Sequence, residues 1–251
     1  MFDLTGKTAI VTGATKGIGR GIASGLAQAG ANIVVVSRHY DDCARVAQDV
    51  TQRYGVGTLP VACDILQRDQ VNDLLNLTVE SFGRVDILVN NAGTAITKKA
   101  EDLLEEDWDR VVNLDLKACF FCAQTVGQQM IRQQRGKIIN ISSILGLVAD
   151  KQVLPYAAAK GGVVQFTKAL ALEWAKYNIQ VNAVCPGYIM TDINRAELES
   201  EKIAKHLLGK IAARRFGTVE DIAGAAVYLA SEASNYMTGH AMVIDGGWCA
   251  E

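Results

Sequence analysis

The chain has 251 residues and a mass of 27.0 kDa, within reach of one large α/β domain, since such folds commonly extend to about 250 residues without splitting. A formal net charge of −2, with 49% hydrophobic and 21% charged residues, belongs to an ordinary globular protein and points to neither a nucleic-acid nor a membrane partner. The opening MFDLTGKTAIVTG has no basic leader or long apolar run, and no apolar stretch approaches the roughly 18 residues of a membrane span, so a cytoplasmic location is expected.

Seven short runs rich in Val and Ile follow one another: KTAIVT, NIVVVS, TLPVAC, VDILVN, GKIINIS, IQVNAV and HAMVID. Segments of helical periodicity separate them, and this alternation predicts a parallel sheet covered on both faces. After the first run, Ile18, Ile22 and Leu26 recur at intervals of four, and Gly30 supplies a helix stop. No repeat, low-complexity stretch or Pro-rich linker interrupts residues 1–251, so a single domain is expected. Six cysteines are scattered along the chain without a disulfide-like spacing, and reduced thiols are expected. Cys119 and Cys122 form a CxxC inside a predicted helix, where buried, inert thiols are favoured over a redox or zinc role.

The first strand runs directly into Thr12-Gly13-Ala14-Thr15-Lys16-Gly17-Ile18-Gly19. Glycines at this spacing permit positive φ and let a pyrophosphate approach the N-terminus of the next helix, where free N–H groups and the helix dipole favour an anion. At the end of the second strand, a carboxylate would hold the ribose 2′-OH of NAD and repel the 2′-phosphate of NADP. The sequence has Ser37-Arg38 there instead. Lys16 and Arg38 are suited to neutralise a phosphate, so NADP(H) is favoured over NAD(H); two solvated surface cations are the alternative.

Tyr156 and Lys160 stand four residues apart in YAAAK, one turn along the same helix face. Hydride transfer to a carbonyl requires a proton for the developing alkoxide, and a lysine cation beside a phenol favours the phenolate. Spacing alone makes YxxxK a weak signal. Thirteen residues earlier Ser143, in INISSILG, ends the fifth predicted strand, where open α/β sheets place their ligands. Its neighbour Ser142 competes for the role, because successive side chains at a strand end point to opposite sides.

TGATKGIG, Asn90-Asn91-Ala92-Gly93, Ser143, YAAAK and Pro186-Gly187, in this order, resemble the short-chain dehydrogenase/reductase superfamily over residues 4–248. The resemblance implies a single-domain Rossmann-type fold, a doubly wound parallel sheet of seven strands, and an oxidoreductase with Ser143, Tyr156 and Lys160 as its catalytic set. It further implies that Asp64 and Ile65 bracket an adenine, that Asn91, Ala92 and Gly93 line the cofactor channel, and that Pro186, Gly187, Ile189 and Thr191 approach the nicotinamide. It implies, too, that GHAMVIDGGW helps to build a homotetramer. One position departs from the pattern: where such enzymes carry an asparagine supporting a water-mediated proton relay to the lysine, this chain has Asp115, with Asn113 two places earlier. Asp115 is therefore a fourth catalytic candidate; a purely structural role is the alternative.

The segment at about 188–215 is expected to cover the substrate. Its Lys202, Lys205, His206, Lys210, Arg214 and Arg215 suit a carboxylate or a phosphopantetheine, or are simply solvated. Leu145, Leu147, Val148 and Val153 either wall the pocket or belong to the core. His39 and His240 have no ligand-like partners, and no metal is expected. A 3-oxoacyl thioester and a keto sugar acid are the two leading substrate classes. The rival functional readings are a non-catalytic NADP(H) sensor and an NAD-preferring sugar-acid dehydrogenase.

Overall fold

A computed structural model describes residues 1–192 and 194–250; Ile193, inside the expected substrate segment, and the terminal Glu251 lie outside the described residues. In chain order the elements are β1 (Thr8–Thr12), α1 (Gly17–Gln28), β2 (Asn32–Ser37), α2 (Tyr40–Tyr54), β3 (Thr58–Ala62), α3 (Arg68–Phe82), β4 (Ile87–Asn90) and α4 (Glu105–Val112). They continue with α5 (Cys119–Gln133), β5 (Gly136–Ile141), α6 (Leu154–Trp174), β6 (Ile179–Pro186), α7 (Arg195–Leu198), α8 (Glu201–Lys210), α9 (Val219–Ala230) and β7 (Ala241–Ile244). A π-helical turn, Asn113–Ala118, joins α4 to α5.

The seven strands form one parallel sheet in the order β3-β2-β1-β4-β5-β6-β7. Their near-continuous Val/Ile runs follow from burial on both faces. Ala9, Val11, Ile33, Val35, Ile87 and Val89 pack on one side against Ile22 and Leu26 of α1 and Ile222 and Leu229 of α9. The intervening Ile10, Val34, Val36 and Leu88 pack on the other against Leu74 of α3 and Val126 and Met130 of α5. The period-two alternation of side chains thus divides one sheet between two cores. All described helices are too short or too polar to cross a membrane.

The strand order reverses between β1 and β4: from β1 the chain winds outward through β2 to β3, then returns to place β4 on the other side. Loops leaving the two strands diverge at that point and open a crevice at the carboxyl edge of the sheet.

Candidate active site

Apart from Asp115, which lies in the π-helical turn between α4 and α5, the site residues expected from the sequence fall at that carboxyl edge, at the end of a strand, on the loop after it or on the first turns of the helix that follows. The turn after β1 is built to admit a phosphate. Gly13 and Gly17 adopt φ of +65° and +53°. A Cβ on Gly19 would lie 2.3 Å from both the Gly13 carbonyl oxygen and the Asn91 amide nitrogen, so only hydrogen fits. Asn91 braces the turn: its Nδ2 donates to the carbonyls of Thr12 (2.9 Å) and Gly13 (3.2 Å). Thr12 Oγ1 in turn accepts the backbone N–H groups of Asn91 and Ala92. Among the described residues no side chain caps the N-terminus of α1 and no acidic residue occupies its first turn, which leaves the N–H groups of that turn to an anion. This cradle fits a dinucleotide pyrophosphate.

Lys16 and Arg38 are both exposed, and among the described residues neither side chain has a hydrogen-bond or ion-pair partner. Ser37 is less available, because its hydroxyl meets Cys43 Sγ at 3.1 Å and the His39 carbonyl at 3.3 Å. After β3, Asp64 accepts the Leu66 N–H through Oδ1 while Ile65 is buried, which shapes the loop where an adenine would rest.

The chemical end gathers around β5. Ser142 Oγ donates to the Lys160 carbonyl at 2.8 Å, which ties it to the α6 backbone. Ser143 Oγ accepts the Leu145 N–H at 3.1 Å, an arrangement that leaves its own proton free to be donated. Pro155 sits in the first turn of α6, where its missing N–H costs nothing, and the helix then presents Tyr156 and Lys160 one turn apart. Lys160 Nζ lies 5.4 Å from the centre of the Tyr156 ring, donates to the Ile141 carbonyl at 3.0 Å, and stands 3.1 Å from Asp115 Oδ2.

Asp115 reaches Lys160 directly, without the intervening water expected of a relay; its side chain is wholly buried. Its Oδ1 accepts the Thr94 N–H at 2.8 Å, whereas Oδ2 faces the Lys160 ammonium at 3.1 Å. Burial raises the Asp115 carboxyl above its ordinary pKa, against the pull of Lys160 and the Thr94 N–H. Burial opposes the Lys160 ammonium as well, but facing Tyr156 and Asp115 outweigh it and hold the lysine above its ordinary value. The proton of the pair stays on the lysine. Asn113 is half-buried and makes no hydrogen bond in this set.

The loop after β6 is held by contacts that the sequence did not signal. The Gly187 N–H donates to the Ile244 carbonyl at 2.9 Å. The Ile189 side chain turns into the core, at 5% exposure, so only its backbone faces the crevice. Thr191 donates through both N and Oγ1 to Asn194 Oδ1, and Asn194 Nδ2 donates to the Ile189 carbonyl, locking the strand exit. The Thr-x-x-Asn spacing was the available signal, a side-chain turn of a common kind. Tyr188 packs on Trp248, ring centres 4.9 Å apart, and its hydroxyl meets Asp150 Oδ2 at 3.3 Å.

Four of the seven basic residues in the substrate segment have partners within the fold, the first being Arg195 with Asp192 and Glu199. Arg214 caps α8 through the Leu208 and Gly209 carbonyls, Arg215 forks onto Asp221, and Lys210 lies over the Trp248 ring. Lys202, Lys205 and His206 remain exposed. Leu147 and Val148 are 44% and 39% exposed beside Ser143, which excludes them from the core and leaves an apolar rim; Leu145 and Val153 are half-buried. Cys119 and Cys122 are buried thiols within α5, the first pushed up to about 12 by burial and the second also raised, as inert side chains require.

A glycine-braced turn at the switch point of a seven-stranded parallel sheet, with a serine, a tyrosine and a lysine beyond β5, gives the layout of a Rossmann-type fold. Comparison with known proteins agrees. A family model described as Enoyl-(Acyl carrier protein) reductase matches residues 13–249, and the chain belongs to the short-chain dehydrogenase/reductase family. It is 40% identical over 252 residues to the 2-dehydro-3-deoxy-D-gluconate 5-dehydrogenase of Escherichia coli, covering 99% of this chain and 98% of that one. It is 38% identical over 241 residues to a 3-oxoacyl-(acyl-carrier-protein) reductase of Staphylococcus epidermidis, covering 96% and 98%. The crystal structure of a gluconate 5-dehydrogenase from Burkholderia cenocepacia in complex with NADP and tartrate superposes with a TM-score of 0.96 at 36% identity, over 100% of this chain and 98% of that one. The protein is an oxidoreductase of that family.

Proposed function

We propose that the protein interconverts a keto sugar acid and its secondary alcohol with preference for NADP(H), using Ser143, Tyr156 and Lys160. The observation that carries this reading is the division of labour at the end of β5: Ser142 is tied to the α6 backbone, while the Ser143 hydroxyl accepts the Leu145 N–H and keeps its own proton, and Tyr156 and Lys160 stand one turn apart on α6. The bound dinucleotide supplies or accepts the hydride. Ser143 donates to the substrate oxygen and orients it, and Tyr156 gives its proton to that oxygen in reduction or takes one in oxidation. Lys160 keeps a positive charge behind the phenol and is placed to hold the cofactor's ribose. Lys16 and Arg38, free of carboxylate partners, favour a 2′-phosphate. The segment 188–215 covers the substrate, with the exposed Lys202, Lys205 and His206 left to meet a carboxylate.

Tyr156→Phe should cut turnover by roughly 10²–10⁴-fold, the usual contribution of a positioned acid–base group, while NADPH binding followed by fluorescence stays near wild type. Turnover within a fewfold of wild type would refute the proton-donor role.

The exposed apolar rim of Leu147 and Val148 favours a second reading, reduction of a 3-oxoacyl thioester. Activity on acetoacetyl thioesters with none on 5-ketogluconate would select it.

A further inference from the structure

Asp115 sits in the π-helical turn between α4 and α5, and three elements converge on its carboxylate. From α6 comes the Lys160 ammonium, at 3.1 Å. From the loop after β4 come the Thr94 N–H, at 2.8 Å, and the bare face of Gly93, where a Cβ would lie 2.7 Å from Oδ2. The side chains of Lys160 and Asp115 are 6% and 0% exposed, so water screens neither charge. Lys160 has one other hydrogen-bond partner among the described residues, the Ile141 carbonyl at the end of β5.

We propose that Asp115 is a positioning residue: a fixed, buried counter-ion that pins the Lys160 ammonium against the end of β5 and ties it to the Gly93–Thr94 loop of the dinucleotide channel. The inference rests on Tyr156 and Lys160 being the proton-handling pair, and it deepens that assignment by naming what holds the lysine's charge and place. A neutral side chain would leave the cation to be balanced by Tyr156 and by bound ligands alone. With Asp115 present the ion pair is complete before either ligand arrives. The loop that lines the cofactor channel and the lysine then move as one unit.

The titratable groups facing Lys160 are Tyr156 on its own helix, Asp115 from the π turn, Cys119 from α5 and Cys185 from β6. Removing one negative charge lowers the proton affinity of each group that faces it, so the shift has one sign. In Asp115→Asn the amide oxygen can still accept the Thr94 N–H, but the charge is gone. The pH profile of kcat/KM for alcohol oxidation should move to lower pH by roughly 1–3 units, the range a close charge exerts on a buried group. Asp115→Glu, which restores the charge, should return the profile towards wild type even where kcat stays reduced. Lower activity on an unmoved profile in Asp115→Asn would overturn the counter-ion role and leave a purely structural one.

Should Asp115→Asn fail to fold, Gly93→Ala tests the same contact from the opposite side, because its methyl presses on Oδ2 and lengthens the ion pair. A smaller shift in the same direction supports the proposal, and an unmoved profile with altered kcat refutes it. The two assignments fail separately. Retained turnover in Tyr156→Phe would undo the pair itself, whereas a dead Tyr156→Phe alongside an unmoved Asp115→Asn profile would undo only the counter-ion.

Discussion

A single methyl at Gly19 decides whether the phosphate cradle can form, since it would stand 2.3 Å from a backbone carbonyl that has no room to retreat. Gly19→Ala should therefore abolish saturable NADPH binding in a fluorescence titration; wild-type affinity would show that the turn does not hold the cofactor. Arg38 carries the specificity argument. With each charge-assisted hydrogen bond worth about 1.5–3 kcal/mol, Arg38→Asp should lower the NADP-over-NAD ratio of kcat/KM by roughly 10- to 100-fold. An unchanged ratio contradicts the assignment. At this scale the sequence was most informative about residues whose chemistry is local: the glycine turn after β1 and the Tyr156–Lys160 spacing on α6 were readable from a strand end and from helix periodicity. The bond from the Thr94 N–H to Asp115 was not, because its two partners lie on segments that meet only in the folded chain.

Two helix starts show what element-scale reading can and cannot reach. At α9, Thr218 and Asp221 form a reciprocal capping box: Asp221 Oδ2 accepts the Thr218 N–H at 2.8 Å, and Thr218 Oγ1 accepts the Asp221 N–H at 3.4 Å. Thr218→Ala should cost about 1 kcal/mol and lower Tm by roughly 2–4 °C for a chain of this size, read by calorimetry. The Arg215 fork, with the Thr218 N–H, depresses the Asp221 carboxyl to about 2. A carboxylate held below its unfolded value of 3.8 stabilises the fold above that pH and loses the effect as pH falls from about 4 towards 2. Removing the Arg215 fork by Arg215→Ala should therefore reduce stability at pH 7 and make no difference near pH 2. The start of α5 is different. A regular helix through NLDLKACFF cannot show which of Asn113 and Asp115 faces α6, because one π turn shifts the phase and such turns follow no residue code.

For the molecule as a whole, the alternation of Val/Ile runs with helices was enough to expect seven parallel strands, and the sheet has them. The order of those strands was not legible in the sequence, since periodicity says nothing about neighbours; yet that order places the crevice between β1 and β4. The half-exposed edge strand β7 belongs to the C-terminal segment expected to build a homotetramer, which predicts a light-scattering mass about four times 27.0 kDa, against which a monomer mass would count. In the proposed reaction NADPH gives its hydride to a keto sugar acid at the Ser143–Tyr156–Lys160 site. That transfer is tested most directly by following NADPH oxidation with wild-type protein across 5-ketogluconate, related keto sugar acids, acetoacetyl thioesters and simple ketones, with Tyr156→Phe run in parallel. Turnover should be greatest on a keto sugar acid, faster with NADPH than NADH, and lost in Tyr156→Phe; tight NADPH binding with no oxidation on any substrate would contradict it.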